Sequence, residues 1–208
     1  MSARPRVLVV DNHDSFTFNL VDAFARLGAE TDVVTSDAPA GEVLRLADER
    51  RSTVVVISPG PGVPESAGCS PAVVRATLGR LPLFGVCLGH QVLVAALGGT
   101  VGPAGDIVHG RASRIRHTGH PLFDGLPPDL EVGRYHSLAA LRVPAELDVI
   151  ARLGPMVMAV AHRHAPAWGV QFHAESILTV HGPRILANVL HLATAARGRG
   201  SIFRHGAP

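Results

Sequence analysis

The octapeptide Gly85-Val86-Cys87-Leu88-Gly89-His90-Gln91-Val92 follows the apolar run Leu81 to Val86 and opens an apolar-periodic stretch ending at Gly98-Gly99. Strand, sharp turn and helix in that order leave few folds open, because the turn residue must stand at the carboxyl end of a buried strand. Glycines two residues away on each side of Cys87 give the layout of a nucleophile elbow, G-x-S-x-G, with sulfur replacing oxygen. Gly85 and Gly89 remove side chains that would crowd the turn. The helix N-terminus offers unpaired N–H groups and a partial positive charge. Both favour a thiolate and lower the thiol pKa from its free value of about 8.5. A cysteine merely buried between strand and helix would not require glycine on both sides.

The segments before the elbow alternate. Arg6 to Val10 reads as a strand ending in Asp11, and Ser15 is placed to cap a helix whose apolar positions Phe16, Leu20, Ala23, Phe24 and Leu27 stop at Gly28. Thr31 to Val34 reads as a strand, Ala40 to Arg51 as a helix, Thr53 to Ile57 as a buried β-branched strand, and Pro71 to Arg80 as a helix. This alternation predicts an α/β domain with a mostly parallel central sheet flanked by helices, and ligands beyond the strand ends that carry Asp11, Ser58 and Cys87. After Gly99 the pattern changes to short β-like runs: Arg111 to His117, Glu131 to His136, Asp148 to Leu153, Met156 to His162 and Ala167 to Phe172. These predict additional short antiparallel strands. A last helix, Pro183 to Ala196, closes a single domain over residues 1–196, and residues 197–208 read as a mobile tail.

Composition excludes several classes. Hydrophobic residues are 47% and charged residues 17%, which suits a globular enzyme rather than a disordered chain. The net charge of +2 and the lack of a dense basic run argue against nucleic acid, and no apolar run is long enough to span a membrane. Every one of the 19 cationic residues is arginine. Two cysteines, Cys69 and Cys87, make no disulfide framework and point to a reduced, cytoplasmic setting. The 12 histidines are scattered without metal-ligand spacing, so no metal site is expected.

A cysteine nucleophile needs a base, and the base an orienting group. Gly169-Val170-Gln171-Phe172-His173-Ala174-Glu175-Ser176 leaves an apolar strand and can supply both, since residues two apart in extended backbone share a face. The loop Ser58-Pro59-Gly60-Pro61-Gly62-Val63-Pro64 can present backbone N–H groups to an oxyanion, as can the N–H of Leu88.

Together these pieces resemble the triad-type class I glutamine amidotransferases. Gly85 to Gln91 resembles the family's nucleophile motif and Gln171-Phe172-His173-Ala174-Glu175-Ser176 its His-Glu motif. Asp11-Asn12-His13-Asp14-Ser15-Phe16-Thr17, Ile57 to Gly62, His109-Gly110-Arg111, Arg134-Tyr135-His136-Ser137-Leu138 and Glu175 to Thr179 before His181-Gly182 are similar to the amidotransferase components of anthranilate synthase and aminodeoxychorismate synthase. The resemblance covers roughly Arg6 to Leu192. It implies a flavodoxin-like fold and a Cys87-His173-Glu175 triad that hydrolyses L-glutamine. It further implies an oxyanion site at Gly60 and Leu88, and substrate contacts from Gly60, Pro61, Gly62, Leu88, Gln91, Ser137 and Leu138. The ammonia would pass to a chorismate-utilising synthase subunit, with no cofactor in this chain and Mg2+ expected only in that partner. Asp14, His109 and Arg111 are candidate partner contacts. Two residues depart from the family pattern: Ala174 stands where proline is usual, and His13 where tyrosine is usual. A stand-alone γ-glutamyl hydrolase or cysteine peptidase on the same fold, or a regulatory pseudo-amidotransferase, are the alternatives. The chorismate-type segments speak against the first, and the presence of Cys87, His173 and Glu175 against the second.

Overall fold

The computed structural model describes the backbone of residues 4–202 and side chains as far as residue 198. In chain order the elements are β1 (Arg6–Asp11), α1 (Phe16–Arg26), β2 (Glu30–Thr35), α2 (Ala40–Glu49), β3 (Val54–Ile57), α3 (Ser70–Thr77), β4 (Leu83–Val86) and α4 (Leu88–Ala96). They continue with β5 (Thr100–His117), β6 (Asp129–Arg142), β7 (Leu147–Leu153), β8 (Met156–His162), β9 (Ala167–Val170) and α5 (Gly182–Ile202), with single 3-10 turns at Pro64–Ser66 and Pro121–Phe123. One nine-stranded sheet runs in the order β2-β1-β3-β4-β9-β8-β7-β5-β6. The half from β2 to β9 is parallel, and the half from β9 to β6 is antiparallel.

The parallel strands are apolar on both faces because both faces are covered. Val7, Val9, Val54, Val56, Phe84 and Val86 meet Leu20 and Phe24 of α1 and Ile185, Leu186 and Val189 of α5. The alternate residues Leu8, Val10, Val55, Ile57 and Leu83 meet Val43 and Ala47 of α2, Val73 and Val74 of α3, and Val92 and Leu93 of α4. Each fully buried side chain of this kind contributes about 1.5–3 kcal/mol. The chain leaves β1 toward β2 on one side and returns to β3 on the other, so right-handed crossovers set α1 and α2 on opposite faces. The reversal opens a crevice at the carboxyl ends of β1, β3 and β4, where ligands of such sheets bind.

Several expectations need correction. Two of the antiparallel strands are longer than expected, β5 with 18 residues and β6 with 14, while β7 and β8 are short, with 7 each. Gly102, Pro103, Gly105 and Gly110 all lie within β5, and the β5–β6 ladder accommodates them with register shifts between Pro103 and Val108 and between His109 and Arg111. Ser15 does not cap α1 with its side chain. Asp14 Oδ1 instead accepts from the Phe16 N–H at 2.7 Å, and Asp11 Oδ1 from the Thr17 hydroxyl at 2.7 Å. α3 ends at Thr77, before Gly79 at φ 76°. α5 continues through residues 197–202, so the boundary placed at residue 196 falls inside a helix, and the rest of the expected tail, 203–208, lies outside the described residues. Among the described residues no helix is long and apolar enough to cross a membrane.

The elbow glycines are required by backbone, not by flexible side chains. A Cβ on Gly89 would strike the Ile57 carbonyl oxygen of β3, and one on Gly85 the Gly89 carbonyl oxygen. Gly41 in α2 has open space around it. Gly89→Ala is therefore expected to cost about 1–3 kcal/mol through forced backbone displacement, while Gly41→Ala should gain about 0.5 kcal/mol. Urea midpoints at unchanged slope read both, and a Gly89→Ala protein as stable as wild type would contradict the packing described.

Candidate active site

Cys87 sits at the turn between β4 and α4 with φ 53° and ψ −101°. A non-glycine residue held there costs on the order of 1–3 kcal/mol and persists only where its surroundings over-determine it. Its N–H donates to the Val170 carbonyl of β9 at 2.8 Å, and its carbonyl accepts from the Gln91 N–H at 3.1 Å to begin the helix. The thiol is thereby fixed above the strand ends, almost buried, at the positive end of α4. The Leu88 N–H, first in the helix, has no acceptor within it.

The loop after β3 lies against the start of α4. A Cβ on Gly60 would come within 2.6 Å of both Asn12 Cβ and Leu88 Cδ2, so only glycine lets this backbone pass so near the helix start. The root of the loop is pinned by buried polar groups. The Asn12 N–H donates to Ser58 Oγ at 2.9 Å, Asn12 Nδ2 to the Ser58 carbonyl at 3.0 Å, and Ser70 Oγ to Asn12 Oδ1 at 2.7 Å. Its tip, Pro61 to Val63, is exposed.

The structure brings His173 and Glu175 together at 2.7 Å between Nδ1 and Oε1, with the Glu175 side chain 0% exposed. The route differs from the extended one expected. β9 stops at Val170, and the Ser176 N–H closes on the His173 carbonyl at 3.2 Å, so the pair meets across a turn. Ala174 is the second residue of that turn, a position proline would pre-set. The His173 N–H donates to the Gly133 carbonyl of β6 at 3.0 Å, and Thr179 Oγ1 donates to the His173 carbonyl at 2.6 Å. Phe16 and Tyr135 flank the ring, with centroids 4.8 and 4.9 Å away. Burial pulls the His173 pKa down, but hydrogen bonds to Cys87 and Glu175 and their charges outweigh it and push the pKa up to about 10. Between Glu175 and the sulfur, this ring can hold a proton near neutral pH and deliver it to a leaving group.

Gln91 is not the solvent-facing first-turn residue its pattern allows. It is buried, and its Nε2 donates to the Leu138 carbonyl at 3.1 Å and to Gln171 Oε1 at 3.2 Å. Ser137, beside Leu138 on β6, is exposed. Sequence reasoning places Gln171 within a motif but gives it no role. It is fully buried, and its Nε2 lies 3.7 Å from Cys87 Sγ. The available signal was a lone amide in the apolar run Ala167 to Phe172, spaced by two from His173. Asn12, which anchors the Gly60 loop, was likewise missed. Of the candidate partner contacts, Asp14 caps α1, while His109 and Arg111 are exposed on β5. His13 adopts φ 61° and pairs with Asp37 at 2.9 Å. His90 is buried behind the elbow, and burial pushes its pKa down to about 4. Among the described residues no three His, Cys, Asp or Glu side chains group as a metal would need.

A parallel sheet with a strained cysteine at one strand end and a carboxylate-paired histidine at the next defines an α/β protein with a cysteine-centred candidate site. The sequence matches the family "Glutamine amidotransferase class-I" over residues 8–193, and the chain belongs to that family. It is 42% identical over 187 residues to anthranilate synthase component 2 of Vibrio parahaemolyticus, covering 90% of this chain and 95% of that one. It is 48% identical over 206 residues to aminodeoxychorismate synthase of Streptomyces griseus, covering 97% of this chain but 27% of that longer one. A Thermoplasma acidophilum structure, provisionally assigned as one of the subunits of GMP synthase, superposes with a TM-score of 0.85 at 22% identity, covering 97% of this chain and all of that one, and shows the same fold.

The raised His173 pKa has a stability consequence. The folded value lies above the unfolded value of about 6.5, so the ring's contribution is fully present below about pH 6.5 and is lost as pH rises toward about 10. Glu175→Gln keeps an acceptor oxygen for His173 and removes the carboxylate charge. The stability gap between wild type and Glu175→Gln is expected to be widest near pH 6 and to narrow toward pH 10. Urea midpoints across that range measure it, and a gap that does not change with pH would contradict the pairing.

Proposed function

We propose that this chain is the glutaminase subunit of a chorismate-utilising synthase. The Cys87 thiolate attacks the side-chain carboxamide carbon of L-glutamine, and the oxyanion that forms is held by the N–H groups of Gly60 and Leu88. His173, oriented by Glu175, gives its proton to the amide nitrogen. The C–N bond breaks, ammonia leaves, and a γ-glutamyl thioester remains on Cys87. Water then attacks the thioester as His173 takes its proton, and glutamate leaves with the thiolate restored. Each oxyanion donor is typically worth about 3 kcal/mol in the transition state. Gln91, Ser137 and Leu138 hold the amino-acid head, with Pro61 and Gly62 completing the rim beside Gly60. The observation that carries this reading is the buried His173–Glu175 contact of 2.7 Å next to a cysteine held at φ 53°.

The names of the relatives support the partner: one is a component 2 of anthranilate synthase, and the other an aminodeoxychorismate synthase of which this chain matches about a quarter. Ammonia released into solvent becomes mostly ammonium, so a neighbouring acceptor site must receive it. The acyl transfer needs no cofactor from this chain, and Mg2+ belongs to the synthase partner. The free thiols Cys69 and Cys87 fit a cytoplasmic enzyme. Anthranilate, aminodeoxychorismate and a secondary-metabolite analogue are all compatible products.

The test is Cys87→Ser in the complex with the synthase. Glutamine-dependent product formation should vanish while ammonium-dependent formation persists. Glutamate release by wild type should be slow alone and rise when the synthase and chorismate are added. Full-speed turnover by the isolated chain, unchanged by either addition, would instead favour a stand-alone hydrolase.

A further inference from the structure

We propose that Gln171 is a further catalytic residue: its side-chain N–H donates to the Cys87 sulfur and steadies the thiolate, and its orientation is dictated by hydrogen bonds that start from the accept-only Leu138 carbonyl. The proposal rests on Cys87 being the nucleophile. Gln171 Nε2 lies 3.7 Å from Cys87 Sγ and Gln171 is fully buried, so water does not compete for the contact.

The direction of this contact follows from groups that can only donate or only accept. Arg134 is 1% exposed, and its guanidinium is held by the Asp106 carbonyl at 2.7 Å and the Asp106 carboxylate at 3.0 Å. A guanidinium only donates, so His136 Nε2, 3.2 Å from Arg134 Nε, must accept. The His136 proton then sits on Nδ1, which donates to the Leu138 carbonyl at 2.9 Å. Burial, and after it the Arg134 charge, push the His136 pKa down to about 4, which keeps the ring neutral as this pattern requires. The Leu138 carbonyl only accepts, so the Gln91 atom facing it at 3.1 Å is the NH2 group. That same NH2 lies 3.2 Å from the side-chain oxygen of Gln171. With its oxygen engaged, Gln171 has only its NH2 left for the sulfur. Turning the Gln91 amide over would set oxygen against the Leu138 carbonyl, and turning Gln171 over would set NH2 against NH2.

A donor at sulfur favours thiolate over thiol. The chain also joins two parts of the site. Gln91 and Leu138, proposed to hold the amino-acid head of glutamine, are the links that fix Gln171 against the nucleophile. The titratable and charged groups around the sulfur are His173 and Glu175 from the loop after β9, His90 from α4, and His136 and Arg134 from β6. The informative quantity is the change in alkylation between variants.

The experiment is the pH dependence of Cys87 alkylation by iodoacetamide in a Cys69→Ala background, where Cys87 is the remaining thiol. Gln171→Met keeps the volume and removes the donor. It should move the alkylation midpoint up by about one pH unit, which is about tenfold slower alkylation below the midpoint. Gln171→Glu keeps the shape and sets a carboxylate against the sulfur, so its shift should be at least as large. Thermal unfolding identifies which variants fold, and either one suffices. An unchanged or lowered midpoint in a folded variant overturns the proposal. Alkylation does not depend on glutamine turnover, so the two readings separate. If Cys87→Ser kept glutamine-dependent activity while the Gln171 variants still moved the midpoint, the sulfur contact would stand and its catalytic role would fall with the nucleophile.

Discussion

The strained backbone of Cys87 is the constraint on which the rest of the site depends. A cysteine at φ 53° is held by the Val170 carbonyl on one side and by the first turn of α4 on the other. That arrangement is possible only because Gly85 and Gly89 let the helix start press against β3 and β4. The valine-rich strands around it are buried on both faces and cannot yield to relieve the strain. Once the elbow is fixed, the strand order decides what surrounds it. β3 delivers the Gly60 loop from one side, and β9 delivers Gln171 and then His173 from the other.

The polar groups around the sulfur divide by role in the proposed mechanism. His173 is the group pushed toward its charged form, by the sulfur and Glu175 together, against the cost of burial. His90 and His136 are pushed the other way, to about 4, and remain neutral. Of these three buried histidines, one therefore favours its charged form and two the neutral form near neutral pH. This is the separation a proton-transfer site needs, because only one ring stands between the nucleophile and a carboxylate. The buried Asn12, Ser58 and Ser70 contacts serve a different end. They fix the root of the loop that carries Gly60, the proposed oxyanion donor.

Much of this was legible in the sequence, and the unread parts share a physical cause. The elbow was readable because glycine spacing around Cys87 reports a local turn that no other residue tolerates. The parallel half was readable because runs such as Val54 to Ile57 have to be buried on both faces. The length of β5 and β6 was hidden, since glycine and proline in a strand can mean either a break or a bulge, and the partner strand decides which. The turn between His173 and Glu175 was hidden for a related reason: a spacing of two suits an extended strand, but the Gly133 carbonyl that holds the His173 N–H comes from β6, and Thr179 of the same segment closes on the His173 carbonyl. Gln91 and Gln171 were unreadable as a pair because they are 80 positions apart, and only the packing of α4 on β9 joins them.

The central claim is that the strained cysteine, and not the other thiol, forms the covalent intermediate. Cys69 sits half-buried at the start of α3, where burial pushes its pKa up. Rapid acid quench of the complex during turnover of isotopically labelled glutamine, followed by peptide mass mapping, tests the claim most directly. The account predicts a labelled γ-glutamyl adduct on the peptide containing Cys87 and none on the peptide containing Cys69. Turnover with no adduct on Cys87, or with the label on Cys69, would contradict it.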